Sequence, residues 1–120
     1  MVSIISIKSK KLSGEIFVPG DKSISHRALI LGACAVGKTT IENLLESEDV
    51  LATLSALKAI GVNIKKSKNL WEVFGNGLGS LRSPDKVLNL GNSGTGVRLL
   101  MGLVSGSDIT VTFTGDESLN

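Results

Sequence analysis

GDKSISHRALILGACAVGKT, residues Gly20 to Thr39, admits two incompatible readings, and the choice between them sets the fold. Its last eight residues, GACAVGKT from Gly32 to Thr39, match the phosphate-loop pattern G-x-x-x-x-G-K-[ST]. Such a loop must follow a strand and open a helix, so that free amides point at the phosphates. Here the order is reversed. Lys22 to Ala35 has a helical pattern, with Ser23 as its cap, Ala28, Leu29, Leu31 and Ala35 among its apolar positions, and Gly37 where a C-terminal glycine belongs. Gly32 then lies inside a helix, and Gly37-Lys38-Thr39 falls at its carbonyl end, which repels a triphosphate. The stretch is read as a helix running into a strand at Thr39 to Leu44, with Lys38 a surface residue and no binding of ATP.

Working outward, Val2 to Ile7 and Gly14 to Val18 have strand character, the second stopped by Pro19-Gly20. Ser47, followed by Glu48 and Asp49, starts a helix whose apolar positions include Val50, Leu54 and Leu57, and Gly61 ends it. Val62 to Lys65 and Leu70 to Phe74 read as a strand pair around the polar turn Lys66 to Asn69. Val87 to Leu90 reads as a strand, about Thr95 to Val104 as a helix, and Ile109 to Phe113 as a last strand. This alternation predicts an α/β (α+β) fold.

At 120 residues, one hydrophobic core is the ceiling. Aromatics are only 3%, namely Phe17, Trp71, Phe74 and Phe113, too few for a platform that stacks bases. A net charge of +2 with interspersed signs gives no basic stripe, so neither nucleic acid nor a membrane surface is expected as partner. No apolar run approaches a membrane span and no signal peptide is evident, so the expected setting is soluble and cytoplasmic. Cys34 is the single cysteine and is read as a buried small hydrophobe; no disulfide framework or metal cluster is expected.

Positive sites must therefore be local, and two stretches offer them. GDKSISHRALILG begins at Gly20 and GNSGTGVRLLMG at Gly91, 71 residues later; in each, an arginine, Arg27 or Arg98, stands seven residues after the glycine. Both read as strand, glycine turn and helix start, which suggests an internal repeat. Free amides at a helix start with a guanidinium nearby suit a phosphate or carboxylate. Ser23 and Arg27 share one helix face, and Lys22 stands just ahead of the first turn. The plainer alternatives are that these are solvated surface residues, that His26 is surface or structural, and that Asn92, Ser93 and Thr95 only shape a turn. Asp49 reads first as an acid favouring its own helix dipole, and second as a partner standing behind the site.

PGDKSISHRALILGACAVGKTTIENLLESEDVLATLSALKAIG and LNLGNSGTGVRLLMGLVSG resemble the amino-terminal part of the 5-enolpyruvylshikimate-3-phosphate (EPSP) synthases, over nearly all of the chain. These are the shikimate-pathway transferases inhibited by glyphosate. The related UDP-N-acetylglucosamine enolpyruvyl transferases typically carry lysine-asparagine where this chain has Lys22-Ser23. The resemblance implies repeated βαββαβ units in a partial domain, with residues 1 to 19 on the hinge or other-domain side. It implies transfer of the enolpyruvyl group of phosphoenolpyruvate to the 5-hydroxyl of shikimate 3-phosphate, releasing phosphate, without metal or organic cofactor. Lys22 would contact both substrates as the catalytic residue, Ser23 and Arg27 would bind shikimate 3-phosphate, and Gly94 would lie against phosphoenolpyruvate, with Asn92, Thr95 and Arg98 shaping that pocket.

The family pattern continues past TGDESL to an arginine-proline pair, a second domain and further acidic and basic residues, whereas this sequence stops at Asn120. The expectation is a fragment, inactive alone, that lacks its second domain or associates with itself. The competing expectation is a stand-alone anion-binding or interaction module of the same fold; a phosphate-loop nucleotidase is a distant third.

Overall fold

A computed structural model describes residues 2–120. Three helices, α1 (Lys22–Cys34), α2 (Glu48–Ala59) and α3 (Gly94–Ser105), pack with a three-stranded sheet of β1 (Val36–Glu42), β2 (Asn63–Ser67) and β3 (Leu70–Asn76). A parallel pair, β4 (Leu88–Asn89) with β5 (Phe113–Thr114), joins the ends of α3, the long crossover that parallel strands require. The mixed α/β class expected from the sequence is the one observed.

The sheet is antiparallel with β3 at its centre, Val36 opposite Asn76 on one side and Asn63 opposite Phe74 on the other. Trp71, Val73 and Gly75 alternate as the buried residues of β3, the period-two signature of a strand pressed against a core. The β2–β3 turn is tighter than expected: Lys66 and Ser67 belong to β2, leaving only Lys68 and Asn69, with Lys68 at φ 56°. Lys66 stays in the ladder opposite Trp71 and stands 5.3 Å from its ring centroid.

Gly32, the first glycine of the apparent phosphate loop, is buried in α1. A Cβ there would stand 3.2 Å from the Cβ atoms of both Thr39 and Val73, so this glycine lets helix and sheet approach. Across the same contact, a side chain at Gly75 would run into the carbonyls of Gly32 and Ala35. Lys38 lies in β1 and pairs with Glu72 at 3.0 Å. The helix-then-strand reading therefore holds. Its end is corrected: Ala35 caps α1, and Gly37, at φ 112°, already belongs to β1.

Residues 2–20 form neither of the two expected strands. Val2, Ile4, Ile5, Ile7, Leu12, Ile16, Phe17 and Val18 are all at least 70% exposed, so the arm buries none of its apolar side chains. Strand character in the sequence is realised only when a neighbouring strand accepts the hydrogen bonds. The radius of gyration, 17.3 Å, exceeds the ~14 Å expected for a compact domain of this size, as an outstretched arm requires. The strands expected at Val87 to Leu90 and Ile109 to Phe113 also contract to two residues each. Cys34 is half-buried rather than buried, and its thiol pKa is raised by that burial.

Candidate anion-binding site

Asp21, not Ser23, is the cap of α1. Its Oδ1 accepts from the amide of Ile24 at 2.7 Å, placing Lys22 and Ser23 inside the first turn with both side chains exposed. Ser25 fastens that turn to its own cap and to the loop between β1 and α2: its hydroxyl donates to the Asp21 carbonyl at 2.7 Å and accepts from the Leu45 amide at 3.0 Å. Gly20 lies so close to the Asn43 carbonyl that a side chain there would collide with it. Two loops thus fix where α1 begins.

Lys22 Nζ donates to Asp49 Oδ2 at 3.0 Å, and one turn deeper His26 Nδ1 lies 2.8 Å from Thr53 Oγ1. On each helix the second residue follows the first by four, so α1 and α2 run parallel and in register. Asp49 stands in the first turn of α2, where an acid favours the helix dipole, and is also a direct partner of Lys22. The pair is exposed, at 52% for Lys22 and 23% for Asp49, and contributes at most about 1 kcal/mol to stability. Such a lysine is oriented but remains free to meet a ligand.

The second glycine unit is built around Gly91, at φ 57°, a left-handed conformation that a glycine adopts without strain. Its amide donates to Asn89 Oδ1 at 2.9 Å, and Ser93 caps α3 by accepting from the Gly96 amide at 3.2 Å. A Cβ on Gly96 would stand 2.7 Å from Thr53 Oγ1. The first turn of α3 therefore abuts the front half of α2, and the amino-terminal turns of all three helices share one end of the body. Their partial positive charges add there.

Arg27 is exposed on α1 and lines a groove of about 230 Å³ with Ile30, Leu31, Leu99 and Leu103, between α1 and α3. Arg98, also exposed, is directed toward the Gly94 carbonyl and lines a different cleft, about 640 Å³, with Met101, Phe113 and Leu119. The two arginines matched by the 71-residue offset thus border separate recesses. Asn92 and Thr95 are exposed and Gly94 half-buried at the start of α3. The repeat itself is only partly realised, since a strand precedes Gly91 but none precedes Gly20.

A further cleft, about 450 Å³, lies beside Glu42, Glu46, Lys66 and Trp71. Three of its polar groups are bonded together: Trp71 Nε1 donates to Glu46 at 3.0 Å, Lys66 pairs with the same carboxylate, and these bonds, Lys66 first, lower the Glu46 pKa. It contains none of the candidate site residues. Among the described residues no group of three or more His, Cys, Asp and Glu could hold a metal, and no helix is long and apolar enough to cross a membrane.

Asp21 and Thr53 had escaped the sequence reading. Asp21 carried a signal, because an aspartate three residues before a helical amide is a standard cap. Thr53 carried none, since its neighbours come from two other helices.

The family model of EPSP synthase (3-phosphoshikimate 1-carboxyvinyltransferase) matches residues 7–120. The chain is 54% identical over 118 residues to the 3-phosphoshikimate 1-carboxyvinyltransferase of Zymomonas mobilis, covering 98% of this chain and 26% of that protein. It is 55% identical over 119 residues to that of Parvibaculum lavamentivorans, with the same coverage. A solved structure of EPSP synthase from Acinetobacter baumannii superimposes with a TM-score of 0.82 at 44% identity, covering 88% of this chain and 24% of that one. The chain spans about a quarter of the length of the curated relatives it matches.

Proposed function

This chain belongs to the EPSP synthase family, and we propose that it supplies the amino-terminal half-site of a cytoplasmic enolpyruvyl transferase. The reaction joins the 5-hydroxyl of shikimate 3-phosphate to C2 of phosphoenolpyruvate while C3 takes a proton, and the tetrahedral adduct then loses phosphate and a proton to leave the enolpyruvyl ether. The observation that carries this reading is the gathering of three helix starts at one end of the body, with Lys22, Ser23 and Arg27 exposed on α1. Both substrates are strongly anionic, and fixed amides and cations stabilise anions without having to reorganise.

Ser23 and Arg27 hold shikimate 3-phosphate, and Lys22 reaches both substrates by leaving Asp49. Gly94 lies against phosphoenolpyruvate, with Asn92, Thr95 and Arg98 around it. Arg27 and Arg98 border separate recesses, consistent with different substrates for the two guanidinium groups. Residues 2–19, with Met1 outside the described residues, belong to the hinge or other-domain side, and their exposed apolar side chains become strand faces once that side is present. The rest of the enzyme supplies the remaining groups that grip phosphoenolpyruvate and move protons.

Amide-resolved NMR titration of the chain with shikimate 3-phosphate, beside Lys22→Ala and with ATP as control ligand, tests the half-site. Saturable shifts around residues 22 to 27 that vanish in the variant are expected, with no response to ATP. A dispersed spectrum without response to shikimate 3-phosphate would favour an interaction module that kept only the fold.

A further inference from the structure

The buried pair His26 and Thr53 lies where one hydroxyl meets all three helices, and its role deepens the half-site reading on which it rests. We infer that Thr53 and His26 are positioning residues that hold the amino-terminal turns of α1, α2 and α3 in one fixed relation, keeping Lys22, Ser23 and Arg27 at a set spacing from Gly94 and Arg98.

Both side chains belong to fully buried residues, each 0% exposed. Thr53 Oγ1, on α2, is 2.8 Å from His26 Nδ1 on α1. On α3, the same oxygen is 2.7 Å from where a Gly96 Cβ would stand, and Ser93 Oγ, the cap of α3, is 2.5 Å from that point. Gly96 is what allows α3 to come this close. A hydroxyl offers one proton and two lone pairs, so it can serve the imidazole and still present polar surface to the Ser93 and Gly96 turn.

The exposed Lys22–Asp49 pair one turn away cannot set this geometry, because water competes for it. A buried bond keeps its direction, since leaving it unmade strands polar atoms away from water. His26 Nε2 meets no hydrogen-bonding group of the protein, whereas a leucine of similar bulk would bury no polar atom. What the imidazole adds over a hydrocarbon is a bond that fixes the rotation of α1 about its axis, and with it the direction of Lys22 and Arg27. Burial, the largest influence, keeps the ring's pKa below its ordinary value; Asp49 opposes this and Lys22 reinforces it.

The test is NMR of the 120-residue chain, first without ligand. Thr53→Val, which removes the hydroxyl and keeps the shape, is expected to shift the His26 ring nitrogens and the amides of both Ser23 to Arg27 and Gly94 to Gly96. His26→Asn, whose amide group can stand in for Nδ1, is expected to keep those amides near their original positions, whereas His26→Leu displaces both sets. With inorganic phosphate as probe, Thr53→Val is expected to lower affinity about fivefold, the equivalent of one neutral hydrogen bond. Amide changes in Thr53→Val confined to α2, or equal behaviour of His26→Leu and His26→Asn, would overturn the inference. Should His26→Leu fail to fold, the contrast between Thr53→Ser, which keeps the hydroxyl, and Thr53→Val decides. If the unaltered chain takes up no phosphate, the half-site reading fails, while the ligand-free amides still decide the positioning role.

Discussion

At Gly20 the chain enters α1 from an arm without a hydrogen-bonded ladder, and a charged side chain, Asp21, caps the helix; at Gly91 it enters α3 from a paired strand, and a buried hydroxyl, Ser93, makes the cap. The two stretches match in spacing but not in construction. Gly20 is required by an approaching carbonyl, Gly91 by a left-handed backbone. The first unit displays Lys22, Ser23 and Arg27 outward and turns Ser25 and His26 inward, while the second displays Asn92, Thr95 and Arg98 and turns inward at Ser93 and Gly96. Similar sequence patterns at helix starts can thus be built differently, the outward side chains of α1 standing exposed while Ser93 and Gly96 anchor α3 against Thr53.

The largest expected effect separates the inward residues from the outward ones. Gly96→Ala pushes a methyl between Thr53 and Ser93 and should cost about 1–3 kcal/mol in denaturant unfolding. Ser23→Ala, exposed on α1, should move stability by less than about 0.5 kcal/mol. Equal losses for the two would erase the distinction. Next come the caps: Asp21→Ala and Ser93→Ala should each lose about 1 kcal/mol, and Asp21→Asn, which keeps a capping oxygen on an exposed side chain, should lose little.

A smaller effect depends on pH and sharpens the role of the shared node. Because the His26 pKa is lowered from 6.5 in the fold, the unfolded chain takes up a proton first as pH falls. The unfolded state then binds more protons, and stability declines below about pH 6.5 until the folded ring also titrates. Chemical denaturation at neutral and mildly acidic pH should show this slope flattened in His26→Asn; an unchanged slope would locate the titration elsewhere.

The smallest effect on stability should come from Gly94→Ala, where a Cβ meets the end of the flexible Arg98 side chain at 3.0 Å and is in ordinary contact with Leu119 at 3.8 Å. In the complete enzyme the same change should weaken phosphoenolpyruvate or glyphosate binding. Unchanged affinity for both would remove Gly94 from that pocket.

Helix existence was legible because apolar spacing and capping residues are local properties. Val50, Leu54 and Leu57 mark the buried face of α2, and Ser47 marks its start, although its hydroxyl makes no capping bond in the fold. The strands of residues 2–20 were over-read from composition, since a strand is completed by a partner that sequence does not specify. The shortening of β4 and β5 has the same origin.

The candidate site divides along the same line. That Lys22, Ser23 and Arg27 share the first two turns of one helix follows from their spacing, as does the rejection of the phosphate loop, because helical geometry repeats every few residues and depends little on distant chain. That Asp49 meets Lys22, that Thr53 bonds His26 and presses on Gly96, and that Arg27 and Arg98 border different recesses were decided by tertiary packing alone. These contacts join residues at least 27 positions apart, and their distances arise only when three helix faces are buried against one another.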